Sequence, residues 1–169
     1  MTRYASAVHS TPVGDVLLTV ADDHLLSLRV LHDDGEAARE GLVRVLGVVP
    51  EDDPSAGAET AQQLDEYFDG TRKQFDLALD WSLTRGFSRA ALQAVCEIPY
   101  GETAAYGEVA AMAGHPRAAR AVGTACATSP FSIVVPVHRV VRSDGSLGQY
   151  GGHPEVKQYL LRREQESGA

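Results

Sequence analysis

The sequence predicts an α+β protein. A small N-terminal sheet-plus-helix domain spans about residues 1–80, and a mainly helical C-terminal domain with a helix-turn-helix spans about residues 86–169. Three observations carry this. The first half mixes strand-like apolar runs with two helical patterns, whereas the second half is dominated by helical spacing. Gly and Pro punctuate both halves at the ends of these runs. The charge also divides. Residues 1–83 carry 6 Lys+Arg against 16 Asp+Glu, a balance of −10; residues 84–169 carry 9 against 7, a balance of +2; together these give the net charge of −8.

Taken in order, residues 16–20 and 25–30 are strand-like, and Ala21-Asp22-Asp23-His24 between them supplies a turn, so the pair reads as a hairpin. Residues 36–46 have helical spacing through Leu42, Val45 and Leu46. Residues 50–58 are acidic and rich in small side chains, and read as a loop. Residues 59–68 form an amphipathic helix with Leu64, Tyr67 and Phe68 inward and Gly70 as its stop. Residues 75–80 alternate like a strand, and 81–86 form a linker. The second half opens with a helix over 87–97 that ends before Pro99, then a turn at Gly101-Glu102-Thr103. Helices follow over 106–113 and 117–127, separated by Gly114-His115-Pro116, with the proline suited to a first helical turn. Helix, tight glycine turn and helix make the helix-turn-helix pattern, which ordinary helix packing also produces. Residues 132–141 read as extended, 143–145 as a turn, and 148–152 as a glycine-rich loop around Tyr150. The last helix runs from 154 to about 166.

Hydrophobic residues at 44% and charged residues at 22% are the proportions of a folded soluble protein. No apolar run reaches the length of a membrane span, and Met1 to Tyr4 leads into strand pattern and not into an apolar signal core. A cytoplasmic protein, off the membrane, is expected. Cys96 follows Leu92 and Val95 at helical spacing and reads as a buried small apolar residue. A disulfide to Cys126 is disfavoured in a reducing compartment, and without a short Cys-x-x-Cys pair a zinc site is disfavoured too; no metal and no cofactor is expected. The net charge of −8 argues against a polyanion, but its distribution reverses this, and the mildly basic second half is where one would bind. The same asymmetry equally describes an acidic solubilising face.

Three features of the second half carry chemistry. Arg117 and Arg120 share a predicted helix with Ala118, Ala119, Ala121 and Gly123, small residues that let it lie close to a groove wall while each Arg reaches phosphate or a base edge. The same residues fit a solvated face over close packing. Pro136-Val137-His138-Arg139 places a His and an Arg inside an apolar run, as a catalytic base or as a hydrogen-bonded core residue. Gly148, Gly151 and Gly152 around Tyr150 suit a pocket wall or a plain turn.

The combination is more specific than its parts. Ile98-Pro99-Tyr100-Gly101-Glu102-Thr103, Tyr106-Gly107-Glu108-Val109-Ala110 and Arg117-Ala118-Ala119-Arg120-Ala121-Val122-Gly123 are followed by Val135-Pro136-Val137-His138-Arg139-Val140, by Gly145 to Gly152, and by Leu160-Leu161 with Glu164. In order and spacing these blocks resemble the O6-alkylguanine-DNA alkyltransferases over nearly all of residues 87–164. Ser10-Thr11-Pro12-Val13-Gly14 resembles the family's opening turn. The resemblance implies that the helix-turn-helix enters the minor groove, that Arg120 fills the gap left by an extruded nucleotide, and that Tyr106 crowds the phosphate and helps to rotate that nucleotide outward. Ala121, Gly123, Thr124 and Arg117 complete the implied DNA surface. Pro136, Val137, Arg139, Ser129, Tyr150, Gly151 and Gly152 form the implied pocket.

In the family the residue between Pro136 and His138 is the cysteine that accepts the alkyl group, activated through a water, the following His and a Glu of the last helix. Here that position is Val137, which has no lone pair, while His138 and Glu164 remain. Two further departures favour a naturally diverged member: Ser129-Pro130 where the family has Asn-Pro, and Leu92 where it has Trp. Alkyltransferase-like proteins usually carry Trp in place of the cysteine. The resemblance therefore implies a non-catalytic, monomeric binder of double-stranded DNA containing alkylated guanine, which marks the lesion for nucleotide-excision-repair proteins. The alternatives are a Cys-to-Val or chemically diverged enzyme of the family, and a protein-interaction module that has lost DNA binding.

Overall fold

The first strands arise where the apolar runs are interrupted by tight turns. β1 (Tyr4–Thr11), β2 (Gly14–Ala21) and β3 (His24–Val30) form an antiparallel meander. Asp22 closes the second turn with φ 52°, a left-handed conformation that Asp tolerates better than most residues. In this computed structural model, which describes residues 1–148, 150 and 153–168, the chain divides into two compact units, Met1–Leu83 and Thr84–Ala169.

The N-terminal unit is a four-stranded sheet in the order β3-β2-β1-β4 with two helices, α1 (Glu36–Leu46) and α2 (Ala58–Asp69). Val16, Leu17, Leu18 and Thr19 of β2, an interior strand, are all buried although successive side chains point to opposite faces, so both of its faces are covered; the Thr19 hydroxyl meets that of Ser6 at 2.8 Å. α2 buries Leu64, Tyr67 and Phe68, as its spacing predicts, and Gly70 ends it with φ 89°.

Three expectations for this half need correction. Within residues 50–58, expected to be a loop, Glu51–Asp52 pairs with β1 as a short parallel strand, β4. Residues 75–80, expected to be a strand, make a single bridge, Leu25 to Leu79. The Gln63 side-chain amide binds both the backbone N–H and the carbonyl of Asp76, at 2.8 and 2.9 Å, and so takes the groups a ladder would need. Val45, expected on the apolar stripe of α1, is 68% exposed; that helix turns its partly covered side through Leu42, Val43 and Leu46.

The C-terminal unit contains α3 (Gly86–Val95), α4 (Tyr106–Met112), α5 (Ala119–Ala127) and α6 (Pro154–Gly168), with a small parallel pair, β5 (Ala104–Ala105) and β6 (Val140–Val141). α3 stops at Val95. The chain then tightens through bonds from the Glu97 and Ile98 N–H to the Ala94 and Val95 carbonyls. Cys96 thereby leaves the stripe of Ala91, Leu92 and Val95 and is exposed, against the expectation that it is buried. Both cysteines are free thiols.

α4, a tight turn and α5 form the helix-turn-helix. Gly114 ends α4 with φ 86°, its N–H bonding the Ala111 carbonyl and that of His115 the Ala110 carbonyl, the reciprocal pattern that closes a helix on glycine. α5 begins only at Ala119. Arg117 therefore sits on the turn and not on a helix shared with Arg120, because Ala118 N–H bonds back to His115 and keeps residues 115–118 a closed turn.

Residues 132–141, expected to be extended, are instead a series of tight turns. The Val134 N–H bonds Ser132 O and the Val137 N–H bonds Val135 O, both at 2.7 Å. A single 3₁₀ turn, Val137–Arg139, precedes β6. Pro136 removes a backbone donor from this stretch, which a regular strand would need. Ile133 takes φ 68°, strained for a β-branched residue, with 1% of its surface exposed. Among the described residues no helix is long and apolar enough to cross a membrane.

Candidate functional site

Two groups of side chains in the C-terminal unit have the chemistry of a site. The first is the exposed face of α5. A helix brings residues three and four apart to one side, so Arg120, Ala121 and Thr124 lie together and exposed, and Arg117 is exposed on the preceding turn. Thr124 spends its hydroxyl on the Arg120 carbonyl one turn back, at 3.3 Å. Gly123 is half-buried, and a Cβ there would meet the Tyr106 ring at 3.9 Å, so the glycine lets that ring lie against α5. Tyr106, at the start of α4, is half-buried, and burial pushes its hydroxyl pKa up.

The second group is the turn of residues 136–139 against α6. Val137 is 5% exposed, within a turn closed by the Arg139 N–H on the Pro136 carbonyl at 2.9 Å. His138 and Glu164 are fully buried, with Nε2 and Oε2 2.6 Å apart. Arg139 then adds what the sequence reading did not foresee. Its Nε and Nη2 donate to the two oxygens of Glu164, at 2.8 and 3.1 Å, and its Nη1 donates to the Ile98 carbonyl at 2.7 Å. The guanidinium also lies 5.6 Å from the Tyr100 ring centroid. Glu164 is thus the hub of a buried triad and accepts from the Gly101 N–H as well, at 3.3 Å.

These contacts set the protonation states. Burial pushes the Glu164 pKa up, but its bonds and charge pairing with His138 and Arg139 outweigh this and hold the carboxyl below its ordinary range. Burial pushes His138 down and outweighs the Glu164 carboxylate, which pulls it up. Of the two effects on this pair, the bidentate arginine is the firmer reason for an ionised Glu164, since a His138 held down by burial is neutral at pH 7. Neutral His138 then donates Nε2–H to Glu164, which leaves Nδ1 as a lone-pair acceptor. Nδ1 is buried and has no hydrogen-bond partner among the described residues.

A pH dependence follows. His138, held below its ordinary value of 6.5, stays unprotonated in the fold where the unfolded chain binds a proton. Its contribution is complete above about 6.5 and declines as pH falls below that value. Glu164, held below 4.5, adds a further loss under 4.5. Urea melts of the wild type should therefore weaken from about pH 6.5 downward, and His138→Gln should remove that upper limb. Identical stability at about pH 8 and pH 5 would refute the neutral His138.

The remaining residues singled out from the sequence lie around these groups. Ser129 closes its own turn, accepting from the Phe131 N–H at 3.1 Å and facing the Phe131 carbonyl at 3.3 Å, so one hydroxyl serves where an amide side chain would offer two groups. The Tyr150 hydroxyl is buried and its pKa is pushed up by that burial, with Ser132 pulling it down. Gly151 and Gly152 lie outside the described residues. Cys126 is half-buried on α5. Burial pushes its thiol up to about 12, with the Lys157 charge opposing, so its thiolate is scarce at neutral pH. Lys157 itself was missed. Its signal was its place three, four and seven residues before Leu160, Leu161 and Glu164, on the buried stripe of α6.

Comparison with known proteins covers both units. Residues 3–81 match a family model described as 6-O-methylguanine DNA methyltransferase, ribonuclease-like domain, and residues 86–166 match the DNA binding domain of the same family. A methylated-DNA–protein-cysteine methyltransferase from Mycolicibacterium paratuberculosis is 41% identical over 156 residues, which cover 91% of this chain and 88% of that relative. The crystal structure of Mycobacterium tuberculosis O6-methylguanine methyltransferase is similar with a TM-score of 0.83 at 36% identity, covering 97% of this chain and 94% of that one. The structure of the M. tuberculosis OGT in complex with DNA is similar with a TM-score of 0.82 at 36% identity, covering 98% and 94%.

Proposed function

Because the chain belongs to the O6-methylguanine-DNA methyltransferase family, we propose that it recognises the family's lesion without repairing it. It binds O6-alkylguanine in double-stranded DNA from the minor groove, rotates the damaged nucleotide out of the helix and leaves the alkyl group in place. The carrying observation is Val137, a buried isopropyl group beside the His138–Glu164 pair, at the position the resemblance gives to the acceptor cysteine. An apolar side chain there cannot form a bond to carbon, and Cys126 is too weakly acidic to substitute. The exposed Arg117 and Arg120, on a unit whose charge balance is +2, support the DNA surface. The relative in complex with DNA supports the same partner. A lesion that is bound and not repaired must be passed on, and nucleotide-excision repair, met by a monomer of this protein, is the route we assign.

The test is a binding comparison between a duplex with one O6-methylguanine and its undamaged twin, at low and moderate salt. Tighter binding of the damaged duplex, with a steep salt slope for both, is expected. Equal affinities would refute lesion recognition. The two arginines should separate in the same assay. Arg120→Ala is expected to weaken lesion binding by about 1–3 kcal/mol, as loss of a stack-filling contact does. Arg117→Ala should weaken damaged and undamaged duplex alike and reduce the salt slope by about one. An Arg120→Ala protein that binds the lesion like wild type would remove the base-rotation reading.

A further inference from the structure

Lys157 is buried, with 1% of its surface exposed. Its Nζ donates to the Val140 carbonyl at 2.6 Å and lies 5.8 Å from the Tyr106 ring centroid, within the range of a cation–π contact. Glu164, the buried carboxylate of the same helix, is already engaged by His138 and Arg139. A buried ammonium is costly, and a methionine would fill the same space without that cost. What the charge touches is an aromatic face on α4 and the carbonyl that follows the Val137–Arg139 turn. Two glycines border the same ring. At Gly148, with φ +72°, a Cβ would stand 2.8 Å from the Tyr106 hydroxyl, and at Gly123 it would stand 3.9 Å from the ring. A side chain at Gly148 would collide with the Tyr106 hydroxyl, so the backbone there is kept bare beside the ring.

We propose that Lys157 is a positioning residue of the lesion site: its ammonium holds the Tyr106 ring and ties it to the turn that carries Val137 and His138, so that nucleotide rotation depends on the charge at 157 and not on its bulk. This rests on the reading of Tyr106 as the residue that rotates the nucleotide. Lys157 acts through Tyr106 and needs no contact with DNA.

The experiment uses the full chain labelled with 3-fluorotyrosine, in which the Tyr106 resonance is identified by its loss in Tyr106→Phe. Lys157→Met should shift or broaden that resonance. It should also lower the preference for an O6-methylguanine duplex by about tenfold, while binding of the undamaged duplex stays within about twofold. In a Tyr106→Leu background, Lys157→Met should cost no further preference, because the ring it acts on is gone. An unmoved Tyr106 resonance overturns the proposal, and so does an equal loss of preference in both backgrounds. If the Met variant does not fold, Lys157→Arg takes its place. A folded Arg variant should keep both the resonance and the preference within about threefold, and loss of both overturns the role of charge. A wild type that binds both duplexes equally refutes the proposed function, and the fluorine resonance then decides for or against Lys157 by itself.

Discussion

Val137→Cys is expected to turn the protein into an alkyl acceptor, with the adduct on residue 137, whereas the wild type stays unmodified. The site offers the new thiol what a nucleophile needs. Neutral His138 presents an unpartnered, buried Nδ1, and the Glu164 carboxylate on Nε2 stabilises the imidazolium that forms. The thiol proton passes, through a water as the resemblance implies, to the imidazole, and the thiolate sulfur attacks the alkyl carbon. The bond from that carbon to guanine O6 breaks, and the oxygen keeps the electron pair. Val and Cys are close in volume, so the change at a site 5% exposed should cost less than about 1.5 kcal/mol. Transfer should be slow, because Ser129 braces its turn with a single hydroxyl. Intact-mass measurement after incubation with O6-methylguanine duplex reads the result. A folded, lesion-binding Val137→Cys protein that gains no methyl group would show that more than the nucleophile is missing. A methyl group on wild-type Cys126 or Cys96 would refute the non-catalytic reading outright.

Glu164→Ala should produce the greatest loss of stability of any single change considered, about 3–5 kcal/mol, because it leaves a buried arginine without its counter-charge. Arg139 would keep the Ile98 carbonyl and the Tyr100 ring but lose both carboxylate bonds. His138 would lose its Nε2 partner, and the Gly101 N–H its acceptor. Glu164→Gln keeps one carbonyl oxygen and the shape of the site, so it should fall between Ala and wild type. Urea denaturation checks this, and a loss under about 1 kcal/mol for Glu164→Ala would mean that the triad is worth little. The variant also separates two roles for Glu164. If it only orients His138, stability should survive its removal; if it is the hub of the buried network, stability should fall first.

Element type was largely legible in the chain because periodicity is local. The amphipathic spacing of Leu64, Tyr67 and Phe68, the stop at Gly70, the hairpin around Asp22 and the glycine that ends α4 all follow from a few neighbouring residues. The ordered blocks of the second half also carried the family, which the comparisons show over both units. Local pattern failed where a distant group intervened. Residues 75–80 have the alternation of a strand, but the Gln63 amide occupies the backbone of Asp76. Residues 132–141 have the composition of a strand, but Pro136 and tight turns fold them into the turn that carries Val137.

The sequence by itself determined that the chain is α+β, that it has a helix-turn-helix, and that valine stands where the family's resemblance expects a nucleophile. Each of these is written in residue identity and short-range spacing. Only the tertiary structure decided that Arg139 is a partner of Glu164 and not a free cation, that Lys157 is buried beside Tyr106, and that burial raises the pKa of the Cys126 thiol. The reason is physical. Arg139 and Glu164 stand 25 residues apart and Lys157 and Val140 stand 17 apart, so no local propensity encodes their meeting. Charge in a sequence is only a formal count. Burial and the nearest counter-charge decide whether it is solvated, paired or neutralised, and both exist only once the helices have packed.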